Sequence, residues 1–271
     1  DKIRFPKIKN INNNIIFNNL PKYDLLVHKH KKGNVLVCGG EMAGAARLVA
    51  LSARKVGAGL STIEIKKKNL KYYTFVEVGT ILSLQNKKKK KYSSVVIGPG
   101  YGINEKQKTV IDILKNYDVP FIIDADVFKI FSKNSNLLNN ILSEKGNCVL
   151  TPHEGEFKRY FKFDKTDKIS QTIEASKISN SIVIFKGNDT VIANPDGDVW
   201  INSNAGNNLA TAGTGDVLCG IIAGLLSQGL SLKKASVIGV WIHGELSKNL
   251  NNVIVEDFLN EIPNVMNSLK Y

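Results

Sequence analysis

Cysteine is scarce in this chain of 271 residues, and what there is forms no framework. Cys38, Cys148 and Cys219 each stand in an apolar context, which excludes a disulfide scaffold and a CxxC metal knuckle and leaves small buried hydrophobes. No apolar run reaches the roughly 18 residues of a membrane helix, and the start is not signal-like, so the expectation is a soluble, cytosolic chain with no membrane partner. Arginine is sparse too. The net charge of +13 owes eight lysines to Lys66–Lys68 and Lys87–Lys91, and the remaining excess of Lys and Asn is spread along the chain. Nucleic-acid binding wants arginine interleaved with aromatics on one face, so solvated loops or steering of an anionic substrate are the better expectations, and nucleic acid is not an expected partner. Two nucleotide-binding fingerprints, GxGxxG and GxxxxGK[ST], are absent, so any nucleotide site is of neither kind.

What the chain does have is a glycine-bearing turn feeding an apolar helix, NAGNNLATAGTGDVLCGIIAGLLSQG, from Asn204 to Gly229. Val217, Leu218, Ile221, Ile222, Leu225 and Leu226 recur at helical spacing until Gly229. Gly213 and Gly215 permit close backbone approach, and a turn entering a helix leaves amide hydrogens without intrahelical partners. Gly213, Thr214 and Gly215 thus form a candidate anion cradle. Asp216 sits at its lip, where the positive helix end is expected to hold it ionised as a proton acceptor for a hydroxyl beside a phosphoryl group. The competing reading is a helix-capping Asp216 with glycines packed on a strand.

The remaining sequence alternates strands and helices. Val35–Cys38 runs into Gly39-Gly40, an Ala-rich helix from Ala43 follows, and Leu60–Ile65 completes a βαβ unit. Phe75–Leu84 is ambiguous. Ser94–Ile97 ends in Gly98-Pro99-Gly100-Tyr101-Gly102, and Thr109–Asn116 is a helix. Pro120–Ile123 ends in Asp124-Ala125-Asp126, acids placed to hold Mg²⁺ through water or to orient a substrate hydroxyl; Asp126 equally suits a helix cap. Asn147–Leu150 ends in Thr151-Pro152-His153-Glu154-Gly155-Glu156. There His153 points to ligand contact, while Glu156 fits a capping box or a Mg²⁺-bound water.

After a charged loop at residues 162–168 and a helix over Ile169–Ile178, Ser181–Phe185 ends in Lys186-Gly187-Asn188-Asp189-Thr190, with Lys186 suited to reach a phosphate. Val191–Ala193 and Val199–Asn202 read as a hairpin, and two helices follow the Gly213–Gly229 element, with His243 a core histidine in the first. Residues 1–32 look peripheral, with one short helix expected within Asn10–Asn19. Strands ending in glycine, acid, His or Lys make a three-layer α/β/α sandwich with functional groups on one edge of a mostly parallel sheet.

This set of segments resembles the ADP/ATP-dependent NAD(P)H-hydrate dehydratases of the ribokinase-like superfamily. The matching pieces are His30-Lys31-Lys32-Gly33, Gly39-Gly40 with Gly44-Ala45-Ala46, Gly57-Ala58-Gly59-Leu60, Gly98–Gly102, Asp124–Asp126, Leu150–Phe157, Lys186–Thr190 and Leu209–Leu218, in order over residues 28–250. The GTGD block is shared widely across the superfamily; the Thr-Pro-His-x-Gly-Glu segment joined to the first glycine pair and the KGxxT strand exit is the specific part. The resemblance implies one ribokinase-like domain over residues 28–271 behind a peripheral segment 1–27. It implies repair of NADHX or NADPHX, hydrated at C6 of the nicotinamide ring, by phosphorylation of the hydroxyl from ADP or ATP and elimination of phosphate. Asp216 would be the base; Lys186, Gly187, Asn188, Asp189, Thr190 and Gly215 would bind nucleotide; Ala45, Gly100, Gly102, His153 and Asp216 would bind the hydrate. Mg²⁺ is expected with the phosphates, with no spacing that fixes its ligands.

The family also implies a homo-oligomer, tetramers among them, and an epimerase partner on a separate chain or in a missing N-terminal domain. Departures from the family pattern are Glu41-Met42-Ala43, Glu154 in place of proline and Asn208 in place of glycine. The rival expectations are a kinase of the same fold acting on a vitamin precursor or sugar alcohol, and a non-catalytic nucleotide-binding protein.

Overall fold

In strand after strand, neighbouring side chains belong to opposite cores. Val35 and Val37 pack with one buried cluster and Leu36 and Cys38 with the other; Ile122 is separated in the same way from Phe121 and Ile123, and Val149 from Cys148 and Leu150. A period of two with both faces apolar is what a strand covered on both sides requires. The computed structural model describes residues 7–12, 16, 20, 32–85, 91–163, 167–248 and 253–269. His28–Lys31, Lys87–Lys90 and most of the helix expected within residues 10–19 lie outside that set.

The strands are β1 (Lys7–Asn10), β2 (Asn34–Gly39), β3 (Leu60–Ile65), β4 (Thr80–Leu84), β5 (Ser94–Ile97), β6 (Phe121–Ile123), β7 (Cys148–Leu150), β8 (Ile182–Phe185), β9 (Thr190–Ala193) and β10 (Asp198–Asn202). They form one sheet in the order β1-β10-β9-β8-β7-β6-β5-β2-β3-β4. Among the described strands β9 alone runs against its neighbours, as the middle strand between β8 and β10. The ambiguous stretch after Phe75 resolves into β4, an edge strand parallel to β3. Exposed residues Lys7–Asn10 pair parallel to β10 at the opposite edge, an attachment that their polar sequence did not signal.

One face carries α1 (Ala43–Lys55), α7 (Thr214–Ser227), α8 (Leu232–Leu246) and α9 (Val255–Ser268). The other carries α2 (Gln107–Asn116), α3 (Asp126–Ile130), α4 (Ser135–Lys145), α5 (Glu154–Phe161) and α6 (Lys168–Ser179). Three layers result, with the carboxyl ends of β6, β7 and β8 side by side.

Helix α7 is buried along almost its whole length, so it meets its neighbours through glycine rather than through a narrow apolar stripe. A Cβ on Gly220 would lie 1.9 Å from Ser52 Oγ and 2.3 Å from the Val49 carbonyl; one on Gly224 would lie 2.3 Å from Val56 Cγ1 and 2.6 Å from the Ala53 carbonyl. Both contacts are with α1 or the residue that ends it, and backbone atoms cannot rotate away. Gly224→Ala should therefore cost about 1–3 kcal/mol by overpacking. Gly44→Ala, where nothing lies within 4 Å of the new methyl, should leave stability unchanged or raised. Thermal denaturation of the two variants checks the contrast; equal melting temperatures would contradict it.

Candidate active site

The carboxyl ends of β6, β7 and β8 open into a cleft of about 1470 Å³. Asp124 enters it from the end of β6, His153 from the loop after β7, Lys186–Thr190 from the end of β8, and Leu209–Asp216 from the approach to α7. Gly213 is the N-cap of α7, with φ +92°, and contributes no side-chain cap. A Cβ there would press on Leu48 at 2.8 Å, so the left-handed turn that starts the helix depends on glycine. The Thr214 amide donates to the Thr211 carbonyl at 3.4 Å, and among the described residues the Gly215 and Asp216 amides of the first turn are left for another acceptor.

Lys186 reaches that first turn from β8. Its Nζ donates to Asp124 Oδ1 at 3.1 Å and Oδ2 at 3.3 Å, and a Cβ on Gly215 would lie 3.3 Å from the same nitrogen. Asp124 is 2 % exposed. The Cys219 thiol, held protonated by burial, donates to Asp124 Oδ2 at 3.3 Å. Burial works against the Lys186 charge, yet the carboxylate of Asp124, followed by the more distant charges around it, holds its pKa above the ordinary lysine value. A fixed cation and free amides thus face the cleft together.

Asp216 lies in the same first turn. The helix end does not keep it ionised as expected; burial wins, and with the charge of Asp124 it pushes the carboxyl up to about 7 against the pull of Lys186. His153 caps α5: its Nδ1 accepts from Gly155 N at 3.0 Å and Glu156 N at 3.4 Å, while Glu156 Oε2 accepts from His153 N at 3.0 Å. This is the capping-box arrangement, and it leaves the imidazole half in solvent along the cleft wall. Burial and Lys186 lower its pKa, so it is neutral at pH 7 with Nε2 carrying the proton. His243, 8 % exposed, donates from Nε2 to the Thr214 carbonyl at 2.8 Å, and burial outweighs that bond to lower its pKa to about 4, so the ring is neutral.

Ala45, Gly100 and Gly102 do not line the cleft. They meet beside it, where Met42 N donates to the Gly100 carbonyl and a Cβ on Gly100 would strike Ala45. Asp126 does not cap α3, whose N-cap is Ala125 with no side-chain cap bond; as the first residue of the helix it joins the two regions, its Oδ2 accepting from Gly102 N at 3.0 Å. Of the atypical acids, Glu154 lines the cleft and Glu41 does not. Glu154 is exposed and pairs with Lys158, and Glu41 packs near Gly102. Asn208 ties its turn to α8's end by donating to the Ser247 carbonyl at 3.1 Å.

Lys168 was hidden in what reads as a charged loop. It is the first residue of α6, capped by Asp167, and its amine lies 4.8 Å over the Phe185 ring while bonding the Asp189 carbonyl. Its only sequence signal is the Asp-Lys pair at a helix start.

The model of the NAD(P)H-hydrate dehydratase family matches residues 35–259. The chain belongs to that family. A bifunctional NAD(P)H-hydrate repair enzyme of Dictyoglomus turgidum is 35% identical over 248 residues, covering 80% of this chain and 46% of its own length. An ADP-dependent (S)-NAD(P)H-hydrate dehydratase of Neisseria meningitidis is 32% identical over 228 residues, covering 80% of this chain and 77% of the relative. The chain thus spans about half the length of the bifunctional relatives it matches. A Bacillus subtilis ADP/ATP-dependent NAD(P)H-hydrate dehydratase, co-crystallised with ATP and Mg²⁺, superposes with a TM-score of 0.79 at 25% identity over 98% of this chain and 99% of that one. The architecture is accordingly the ribokinase-like three-layer sandwich that the family shares.

Two outcomes follow for this member of the family. In the folded chain Asp216 keeps its proton up to about pH 7, whereas in the unfolded chain it loses it near about 4. Folding between those values takes up a proton, so stability falls as pH rises through the window. Asp216→Asn should raise the melting temperature, more at pH 8 than at pH 5; a gain independent of pH would contradict this. Asp124→Asn removes one of the charges holding that pKa up, so carbon-13 NMR of the Asp216 carboxyl should show titration at lower pH than in the parent.

Proposed function

We propose that the chain is a nucleotide-dependent NAD(P)H-hydrate dehydratase, which uses ADP or ATP to convert the 6S hydrate of NADH or NADPH back to the reduced dinucleotide. The observation that carries the reading is a carboxyl group, Asp216, in the first turn of a helix whose uncapped amides share one cleft with Lys186 and the loop to Thr190. Relatives named for this activity and the family match over most of the chain support it.

The residues present fit a nucleotide. Lys186 supplies a cation at the cradle, Gly215 leaves room beside it, and Gly187–Thr190 continue along the cleft. Among the described residues no three His, Cys, Asp or Glu groups converge to hold a metal. Asp124, Asp126 and Glu156, the carboxyls set aside for Mg²⁺-bound water, are engaged by Lys186, Gly102 N and His153 N. Mg²⁺ therefore fits best on the phosphates of the nucleotide, with these carboxyls reached through water at most. The nucleotide supplies a phosphoryl group, which turns the hydrate's hydroxyl from a poor leaving group into a good one.

The chain's own groups supply the rest. Ionised Asp216 accepts the hydroxyl proton, and its pKa near 7 matches a base that must take up and release a proton at neutral pH. The α7 amides and Lys186 stabilise charge that develops on the phosphoryl oxygens. Neutral His153, whose Nε2 lies 3.3 Å from Glu156 Oε1 on the wall beside them, contacts the hydrate, while Ala45, Gly100 and Gly102 form the adjoining wall for it. The reading extends to a single catalytic domain over residues 28–271 and to a homo-oligomer, for which exposed Met42, Phe75, Val78 and Ile103 supply apolar surface. It also extends to an epimerase partner that presents the 6S hydrate.

Incubation with the 6S hydrate of NADH, Mg²⁺ and ADP or ATP should restore the absorbance of NADH and release inorganic phosphate. Asp216→Asn should fold and bind nucleotide yet lose at least ~100-fold of this rate, as for a positioned base. A stable phosphomonoester as the product would instead mark a kinase of the same fold, and near-parental turnover by Asp216→Asn would remove that residue from the mechanism.

A further inference from the structure

Asn202, the last residue of β10, is 2 % exposed and lines the cleft across the ladder from Thr190. Its Oδ1 is buried without a hydrogen-bond partner among the described residues. The orientation of the amide is set by its neighbours. Asn204 Nδ2 donates to the Trp241 carbonyl at 3.0 Å and to Glu245 Oε1 at 2.8 Å, both pure acceptors, so Asn204 must turn its oxygen toward Asn202. Asn202 then has to present Nδ2 to Asn204, which leaves its Oδ1 as the free end of the relay. Flipping either amide would set two donors or two acceptors against each other. A buried acceptor left open in this way is costly, and a donor arriving with a ligand removes the cost.

The surroundings say what kind of donor. Besides Lys186 and the first turn of α7, the cleft that Asn202 lines has the apolar residues Ala205, Leu209, Ala210 and Val240 in its wall. Apolar walls with one buried acceptor suit a flat ring carrying an amine. We infer that Asn202 Oδ1 accepts a hydrogen bond from the exocyclic amine of the nucleotide's base, making Asn202 the residue that selects a 6-amino purine. The inference rests on the nucleotide site proposed above and adds a specificity residue to it.

Calorimetry on the full chain tests it without recourse to hydrate turnover. The parent should bind ADP at least ~10-fold more tightly than purine-riboside 5′-diphosphate, which lacks the amine, while 2′-deoxy-ADP binds within a few-fold of ADP. In Asn202→Leu the ADP affinity should drop to that of the amine-free analogue, whose own affinity changes little. General damage to the fold would weaken both ligands alike. Equal binding of ADP and the analogue by the parent, which needs no variant, overturns the inference, as does Asn202→Leu that keeps the preference. Discrimination that falls on 2′-deoxy-ADP instead assigns the acceptor to the ribose and likewise overturns it. Base selection in a chain that restores no NADH leaves this inference standing and removes the dehydratase reading; no nucleotide binding at all removes both.

Discussion

The ion pair between Asp124 and Lys186 is the constraint on which the site depends. It joins the ends of two strands, β6 and β8, that are separated by β7, and brings a lysine amine up to the first turn of α7. Taking two charges out of water is expensive, and here the cost is offset by amine contacts at 3.1 and 3.3 Å on the two carboxylate oxygens and by a thiol donor from Cys219. The same pair adjusts Asp216 after burial, which is the larger influence on its pKa. Asp124 pushes its pKa up and Lys186 pulls it down, so the proposed base is poised by a carboxylate and an amine already committed to each other.

The fold supplies the rigidity for this arrangement. Helix α7 is pinned close against α1 at Gly220 and Gly224, and its first turn is tied by the Thr214 hydroxyl to the Leu209 and Thr211 carbonyls and by His243 to the Thr214 carbonyl. Below it the β6, β7 and β8 ends are locked in register by parallel pairing. The cleft sits over these ends, whereas Ala45, Gly100 and Gly102 lie beside it, next to the place between β2 and β5 where the strand order changes direction. That division accords with two ligands, an anionic nucleotide over the cationic end and a second molecule approaching from the switch point.

Several residues serve structure and site together. His153 stands on the cleft wall because it caps α5, and its capping bonds fix the tautomer that leaves Nε2 as the donor. Asp126 begins α3 and at the same time holds the Gly102 turn. For His153 the competing structural and functional readings are therefore not exclusive, because a cap that fixes a side chain also orients what it presents.

Much was legible in the sequence because it is local or periodic. Strand exits at Asp124, His153 and Lys186, the glycine turn before Asp216 and the doubly apolar strands all depend on nearest neighbours along the chain. What only the tertiary structure decided depends on distance across it. The protonation of Asp216 follows from burial and a carboxylate 92 residues away in the chain, from 124 to 216, and no local pattern carries that sum. Lys168 over Phe185, the polar strand Lys7–Asn10 beside β10, and the open acceptor of Asn202 likewise arise from partners remote in sequence. Local propensity chooses the element and its ends; desolvation and the field of distant charges are properties of the packed molecule alone.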